Sequence, residues 1–312
     1  TSDLSIPDSE ITVEQGDLYF PDDEWDRIQT RVENALRDGN HVLLFGPPGT
    51  GKTKLARQIC AGTVGSDEYE LVTASADWST FDTVGGYQTT AANRLEFEPG
   101  VVLARFQADA EGTPTNEWLV IDELNRADID KAFGSLFSAL TGESVTLPFD
   151  DSDGDPIEIL DASRTDTLVA PNRYFIPEDW RMLATMNTLD KTSLYEMSYA
   201  FMRRFSFIPI TVPDLTPATD EDEEERIKQV LSGYVSTWDG LDPSEEELVA
   251  VGHVWKNTNT AVDEREIGPA IVKDIFENIS HYSDTELQKR LTNAVISYVF
   301  PQLEGVPKRK EI

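Results

Sequence analysis

Between residues 21 and 38 apolar side chains recur at helical spacing, with Trp25, Ile28, Val32 and Leu36 on one face and Gly39 just beyond the expected end. Directly afterwards the pattern changes to a short continuous run, His41-Val42-Leu43-Leu44-Phe45, closed by Gly46. Similar runs follow at Leu71-Val72-Thr73, Trp118 to Ile121, Arg181 to Met186 and Phe207 to Ile210. A run that is apolar at every position suits a strand covered on both faces, and helical stretches between such strands make them parallel. The pattern predicts a doubly wound α/β unit with five core strands.

Two stretches interrupt it. Residues 150 to 166 are polar, acidic and rich in turn formers, and read as a surface excursion between two core strands. Residues 213 to 225 carry Pro213, Pro217 and the acidic run Asp222-Glu223-Glu224-Glu225, and read as a linker. Beyond it the periodicity is helical: Leu248, Val251 and Trp255, then Ile271, Ile275 and Ile279, then Leu287, Leu291, Val295 and Tyr298. Ser244-Glu245-Glu246-Glu247 and Ser283-Asp284-Thr285-Glu286 have the spacing of capping boxes. The expected organisation is an α/β domain over 1–212, a linker over 213–225 and a small helical domain over 226–312.

Composition changes the picture in one respect. The chain carries 58 acidic against 26 basic residues, a formal charge of −32, but its six Trp, nine Tyr and fourteen Phe exclude an acidic disordered protein. Such a surface suits concentrated salt, where the Debye length is about 3 Å and self-repulsion is screened. It is also expected to repel a nucleic-acid backbone, so direct DNA binding by this chain is not anticipated. No run approaches a membrane span, the opening Thr1-Ser2-Asp3 has no basic and apolar leader, and one cysteine, Cys60, rules out an intrachain disulfide; the cytoplasm is the expected compartment.

The chemistry sits at the ends of the predicted strands. Gly46-Pro47-Pro48-Gly49-Thr50-Gly51-Lys52-Thr53 fits G-x-x-x-x-G-K-[ST], follows an apolar run and precedes a helix carrying Leu55 and Ile59. Glycines allow main-chain N–H groups to turn inward around phosphate oxygens at a helix N-terminus. Lys52 is then placed for the β- and γ-phosphates of a nucleoside triphosphate and Thr53 for Mg²⁺, with Lys54 counted in the same binding stretch. Seventy residues on, the run Trp118 to Ile121 ends in Asp122-Glu123. Two carboxylates at the end of a buried strand need a cation or water to receive them. Asp122 suits the Mg²⁺ shell and Glu123 the activation of an attacking water.

Together with Ile121-Asp122-Glu123-Leu124-Asn125-Arg126-Ala127 and Leu183-Ala184-Thr185-Met186-Asn187-Thr188, the P-loop resembles the AAA+ superfamily, and more narrowly its McrB-like, MoxR-like and dynein-related branch. Asp190-Lys191-Thr192-Ser193-Leu194 and Ala200-Phe201-Met202-Arg203-Arg204-Phe205 fit the same branch, and Leu95-Glu96-Phe97-Glu98-Pro99-Gly100 is similar to its insert in the second helix. The resemblance implies a five-stranded parallel sheet in the order 5-1-4-3-2, a helical lid, and a ring, typically a hexamer, that hydrolyses ATP where subunits meet. It implies that Asn187 is the residue that polarises the attacking water or the γ-phosphate. It also implies that Arg203 or Arg204 reaches the γ-phosphate of a neighbouring subunit.

One position departs from the branch. Ala270, in Glu266-Ile267-Gly268-Pro269-Ala270, stands where a lid arginine is expected, leaving Lys273 or Arg265 to substitute. Leu18-Tyr19-Phe20 suits either a purine or a hydrophobic staple before the first helix. His41, His253 and His281 are too scattered for a metal reading, Cys60 reads as core, Asp150 to Asp155 as acidic background, and Lys308-Arg309-Lys310 as too short for a nucleic-acid site. The resemblance implies a McrB-like motor of a restriction or defence complex with a nuclease partner. Its alternatives are a MoxR-like chaperone for a protein client, a McrB-type GTPase, and a non-hydrolysing nucleotide-gated module.

Overall fold

The computed structural model describes residues 11–91, 93–134, 136–163, 169–187, 197, 199–217, 222–262, 265–281 and 285–303. Helix α1 (Glu24–Arg37) forms on the first periodic stretch; Ile28, Val32, Ala35 and Leu36 are buried, with acids in the first turn and Arg37 in the last. Strand β1 (His41–Gly46), helix α2 (Lys52–Thr63) and strand β2 (Tyr69–Thr73) follow. After the short α3 (Thr80–Thr83), the hairpin β3 (Gly85–Thr89) and β4 (Leu95–Pro99) occupies the stretch similar to the branch insert. Then come β5 (Trp118–Asp122), α4 (Ile129–Phe133), α5 (Leu136–Ala139), β6 (Val145–Asp150), β7 (Pro156–Asp161), β8 (Arg173–Ile176), β9 (Met182–Asn187), α6 (Tyr199–Met202) and β10 (Phe205–Pro209).

Among the described residues, β10, β1, β9, β5 and β2 form a five-stranded sheet in that order, every pair parallel. Counting only the five core strands along the chain, this is the expected 5-1-4-3-2. Val42, Leu43 and Leu44 of β1, Leu119 to Ile121 of β5 and Met182 to Ala184 of β9 have no exposure, as the uniformly apolar runs require. Cys60 is packed into this core, and burial pushes its thiol pKa up, leaving it inert. His41 is also core: its Nδ1 accepts the Met182 N–H at 3.2 Å, and burial, with Arg181 and Arg204 nearby, pulls its pKa down to about 3.

A second apolar cluster gathers from α7 (Glu223–Val235), α8 (Glu245–Ala261), α9 (Pro269–Ser280), α10 (Leu287–Ala294) and the π-helical and 3₁₀ turns that run to Leu303. Its centre is Ile227, Val230, Val251, Trp255, Val272, Ile275, Phe276 and Ile279, close to the predicted stripes. Ser244 and Glu247 form the predicted capping box. In the other candidate box, Ser283 and Asp284 lie outside the described residues; α10 starts at Leu287, with Glu286 at the cap position.

The structure corrects two readings of polar segments. The 150–166 excursion is not irregular throughout: β7 inserts Ile157 and Ile159 into the core and joins β6 and β8 in a three-stranded sheet. The acids of Asp150 to Asp155 serve its turn, where Asp151 Oδ1 accepts the N–H groups of Asp153 and Asp155. The acidic run before residue 225 is helical from Glu223, with Asp222 accepting the Glu224 N–H as its cap. Carboxylates at a helix N-terminus interact favourably with its unpaired N–H groups, so an acid run there marks a helix start as readily as a linker.

Candidate functional site

The site is built at the carboxyl ends of β1, β9 and β5, where parallel sheets present their loops. Gly46 ends β1 in register with Asn187 of β9, and Asp122 ends β5 in register with Thr73. The loop after β1 turns through Gly49 (φ 76°) and Gly51 (φ 88°), left-handed positions that suit glycine, and opens directly into α2. A cleft of about 570 Å³ lies above it. Pro48 through Lys54, Asp122, Glu123 and Asn187 line the cleft, so residues up to 139 positions apart meet in one place. Gly46 and Pro47 lie beneath it: their carbonyl oxygens accept from Lys52 Nζ at 3.1 and 2.6 Å. Burial pulls the Lys52 ammonium down to about 8, against the opposing attraction of Asp122 and Glu123.

Thr53 Oγ1 donates to Asp122 Oδ1 at 2.5 Å. A hydroxyl and a carboxylate in contact are hard oxygen donors of the type Mg²⁺ takes, and both residues line the cleft. Thr185, whose role the sequence reading missed, donates to the same carboxylate oxygen at 2.6 Å and accepts the Glu123 N–H at 3.0 Å. It is 1 % exposed on β9 and fixes the direction in which both acids point. Glu123 has φ 53°, in the left-handed region, which costs a non-glycine residue about 1 kcal/mol or more. That turn lifts its carboxylate out of line with β5. There Asn187 Nδ2 donates to Oε1 at 3.3 Å, and Arg126 pairs with Oε2. Asn125 Oδ1 accepts the Asn187 N–H at 3.4 Å, tying the two strand ends together.

The other wall was only partly visible in the sequence. Leu18 and Tyr19, with Tyr234, Thr237 and Trp238 at the end of α7, line it. Phe20 turns away and stacks on Trp25 at 5.8 Å, so the aromatic pair divides: Phe20 anchors α1 and Tyr19 faces the cleft. Tyr234 is on α7 and Trp238 lies just beyond its end, their rings stacked at 5.7 Å; in the sequence both read equally well as core. Ala270 N–H donates to the Gly49 carbonyl at 3.1 Å, so the first turn of α9 braces the P-loop through its backbone. Lys273 lines the cleft and Arg265 does not.

Arg203 and Arg204 are not in the cleft. They line a separate cavity of about 370 Å³ beside Gly39, His41 and Arg181, at the opposite end of the sheet. Arg204 Nη2 donates to the Phe137 carbonyl at 2.6 Å, and its guanidinium lies 5.9 Å from the Phe137 ring centroid. Arg203 is exposed and makes no ion pair among the described residues. Asp190 to Leu194 lies outside the described residues, as do Thr188 and Lys308 to Lys310.

A family model for the AAA domain of the dynein-related subfamily matches residues 41–205, more than half of the chain. No curated protein matches. Among solved structures, the RuvB Holliday junction branch migration motor of Thermotoga maritima is similar at 16 % identity and TM-score 0.45, over 89 % of this chain and 69 % of that one. A point mutant of the same RuvB gives 16 % identity and TM-score 0.45, over 87 % and 69 %.

Proposed function

Because the chain belongs to the dynein-related subfamily of AAA domains, we propose that it holds ATP with Mg²⁺ in the cleft between its P-loop and a helical lid and hydrolyses it where two copies meet in a ring. The observation that carries the proposal is the meeting of Lys52, Thr53, Asp122, Glu123 and Asn187 at the carboxyl end of the sheet, with Arg203 exposed at the opposite end. A neighbouring copy is the simplest way to bring such an arginine to this chemistry. Residues 1–212 serve as the nucleotide domain and 226–312 as the lid, and Lys273 takes the place of the lid arginine.

The mechanism follows from the side chains. P-loop N–H groups and Lys52 hold the phosphates and stabilise charge that grows on the γ-phosphoryl oxygens. Thr53 and Asp122 would hold Mg²⁺, which would supply positive charge to offset that of the phosphates. Asn187 keeps Glu123 and the attacking water in line. Water attacks phosphorus, its proton passes to Glu123, the bond to the bridging oxygen breaks, and Glu123 then releases the proton. Arg203 of a neighbouring copy stabilises the transferring group, a contribution of about 10³ or more in rate. Hydrolysis loosens the grip between lid and P-loop, and the ring acts on its partner through that motion. The favoured downstream role is a McrB-like motor working with a nuclease.

The acidic surface sets the conditions of the test: a salt-adapted chain is to be assayed in molar salt. There, Mg²⁺-dependent ATP hydrolysis per subunit rises with protein concentration as rings assemble. A rate per subunit that is flat over a hundredfold range would contradict hydrolysis at a shared interface.

The state of Lys52 predicts a pH dependence. Burial holds its pKa down at about 8, while polyphosphate bound beside it would favour the charged form. ATP affinity is therefore level below about pH 7 and falls by up to tenfold per unit above 8, with one proton taken up on binding. The empty fold shows the opposite trend. The unfolded lysine keeps its proton to 10.5, so unfolding takes up a proton between about 8 and 10.5, and stability rises with pH across that window. Calorimetric titration in two buffers of different ionisation enthalpy reads the proton directly.

A further inference from the structure

The segment before α1 is fastened at both ends to different parts of the molecule. At one end Asp17 pairs with Lys54 at 2.5 Å and accepts Gln58 Nε2 at 2.6 Å, both on α2, the helix that opens at the P-loop lysine. At the other end Tyr19 and Asp22 meet α7. Gly233 of that helix has no side chain where the Tyr19 ring lies; a Cβ there would overlap the ring, and the flattened position is a seat for it. The seated ring meets Tyr234 edge-on, centroids 4.9 Å apart. Seven residues earlier on α7, about two turns, Arg226 donates two hydrogen bonds to the Asp22 carboxylate at 2.9 and 2.6 Å. Arg226 also donates to the Asp214 carbonyl, in the segment that leads into α7, and its side chain is only 10 % exposed. A bidentate guanidinium–carboxylate pair fixes orientation as well as distance.

We propose that residues 17–22 form a brace that sets the position of α7 over the P-loop, with two clasps on the lid: the Tyr19 ring in its Gly233 seat and the Asp22–Arg226 pair. Gly233, Asp22 and Arg226 are positioning residues that act through the aromatic wall of the cleft. The brace rests on the reading of that cleft as a nucleoside triphosphate site. Its chemical consequence is selective. The phosphates are held by the P-loop, which the clasps do not touch, whereas the base lies against Tyr19, Tyr234 and Trp238, which move if a clasp opens. Opening either clasp therefore speeds release of a nucleotide and leaves the grip on bare polyphosphate unchanged.

The test measures two ligands on the full chain in molar salt: displacement of a fluorescent ATP analogue, and competition by inorganic tripolyphosphate. Asp22→Asn removes the charge from one clasp without straining the backbone, since asparagine tolerates the φ of 57° found there. Gly233→Ala fills the seat of the other. Each is expected to raise the release rate of the analogue about tenfold, the double variant little more than either, and tripolyphosphate affinity to stay within twofold. An unchanged release rate in folded Asp22→Asn overturns the brace, even if Gly233→Ala does not fold. Equal weakening of both ligands also overturns it, since that marks general loosening of the fold. If the wild-type chain retains neither ligand, the nucleotide reading of the cleft fails first.

Discussion

Glu123→Gln is expected to bind ATP at least as tightly as the wild type and to hydrolyse it about 10³-fold more slowly. Glutamine keeps the shape of the side chain and can still accept the 3.3 Å hydrogen bond from Asn187, so the geometry of the cleft survives. What it loses is the ability to take a proton from water, a step for which a positioned base contributes about 10² to 10⁴ in rate. Binding is preserved or improved because one negative charge beside the phosphates is gone. Single-turnover hydrolysis and equilibrium binding in molar salt separate the two effects. A variant that retains a tenth or more of wild-type hydrolysis would mean that Glu123 only orients the water.

The adjacent arginines are expected to behave differently. Arg203→Ala lowers ATP turnover about 10³-fold, leaves ATP binding by the isolated chain unchanged and does not alter the melting temperature. Arg204→Ala instead destabilises the fold, because it removes the 2.6 Å bond to the Phe137 carbonyl and the packing over the Phe137 ring. A hydrogen bond from a charged donor contributes about 1.5 to 3 kcal/mol, and the carbonyl left behind adds to the loss. Thermal unfolding and turnover read side by side distinguish the two residues. If Arg204→Ala loses turnover at unchanged stability and Arg203→Ala loses neither, the assignment is reversed.

That contrast marks the boundary of what the sequence could reveal. Arg203-Arg204 is a pair of like residues in the chain; Phe137, 67 positions earlier, decides which of them is committed to structure. Thr185 was hidden for the same reason. A β-branched residue in a buried strand reads as sheet filler, and its link to Asp122 exists only because β5 and β9 lie side by side. The five strands were legible because burial on both faces leaves an unbroken apolar run, and the P-loop because it is local and needs glycine at fixed positions. Segments whose charge has two physical uses were not. Asp222 to Glu225 look like solvated linker until the helix they cap is seen, and the acids of Asp150 to Asp155 belong to the turn of a hairpin.

The central claim is that a working site takes its water-activating acid from one copy and its arginine from the next. Mixing the two inactive chains tests it most directly. In a mixed ring, a Glu123→Gln subunit still offers Arg203 to the intact Glu123 of an Arg203→Ala neighbour. ATP hydrolysis by the mixture is therefore predicted to rise well above that of either variant alone and to peak near equal proportions. A mixture whose activity stays at the weighted sum of its two components, at concentrations where the wild type assembles, would contradict the account.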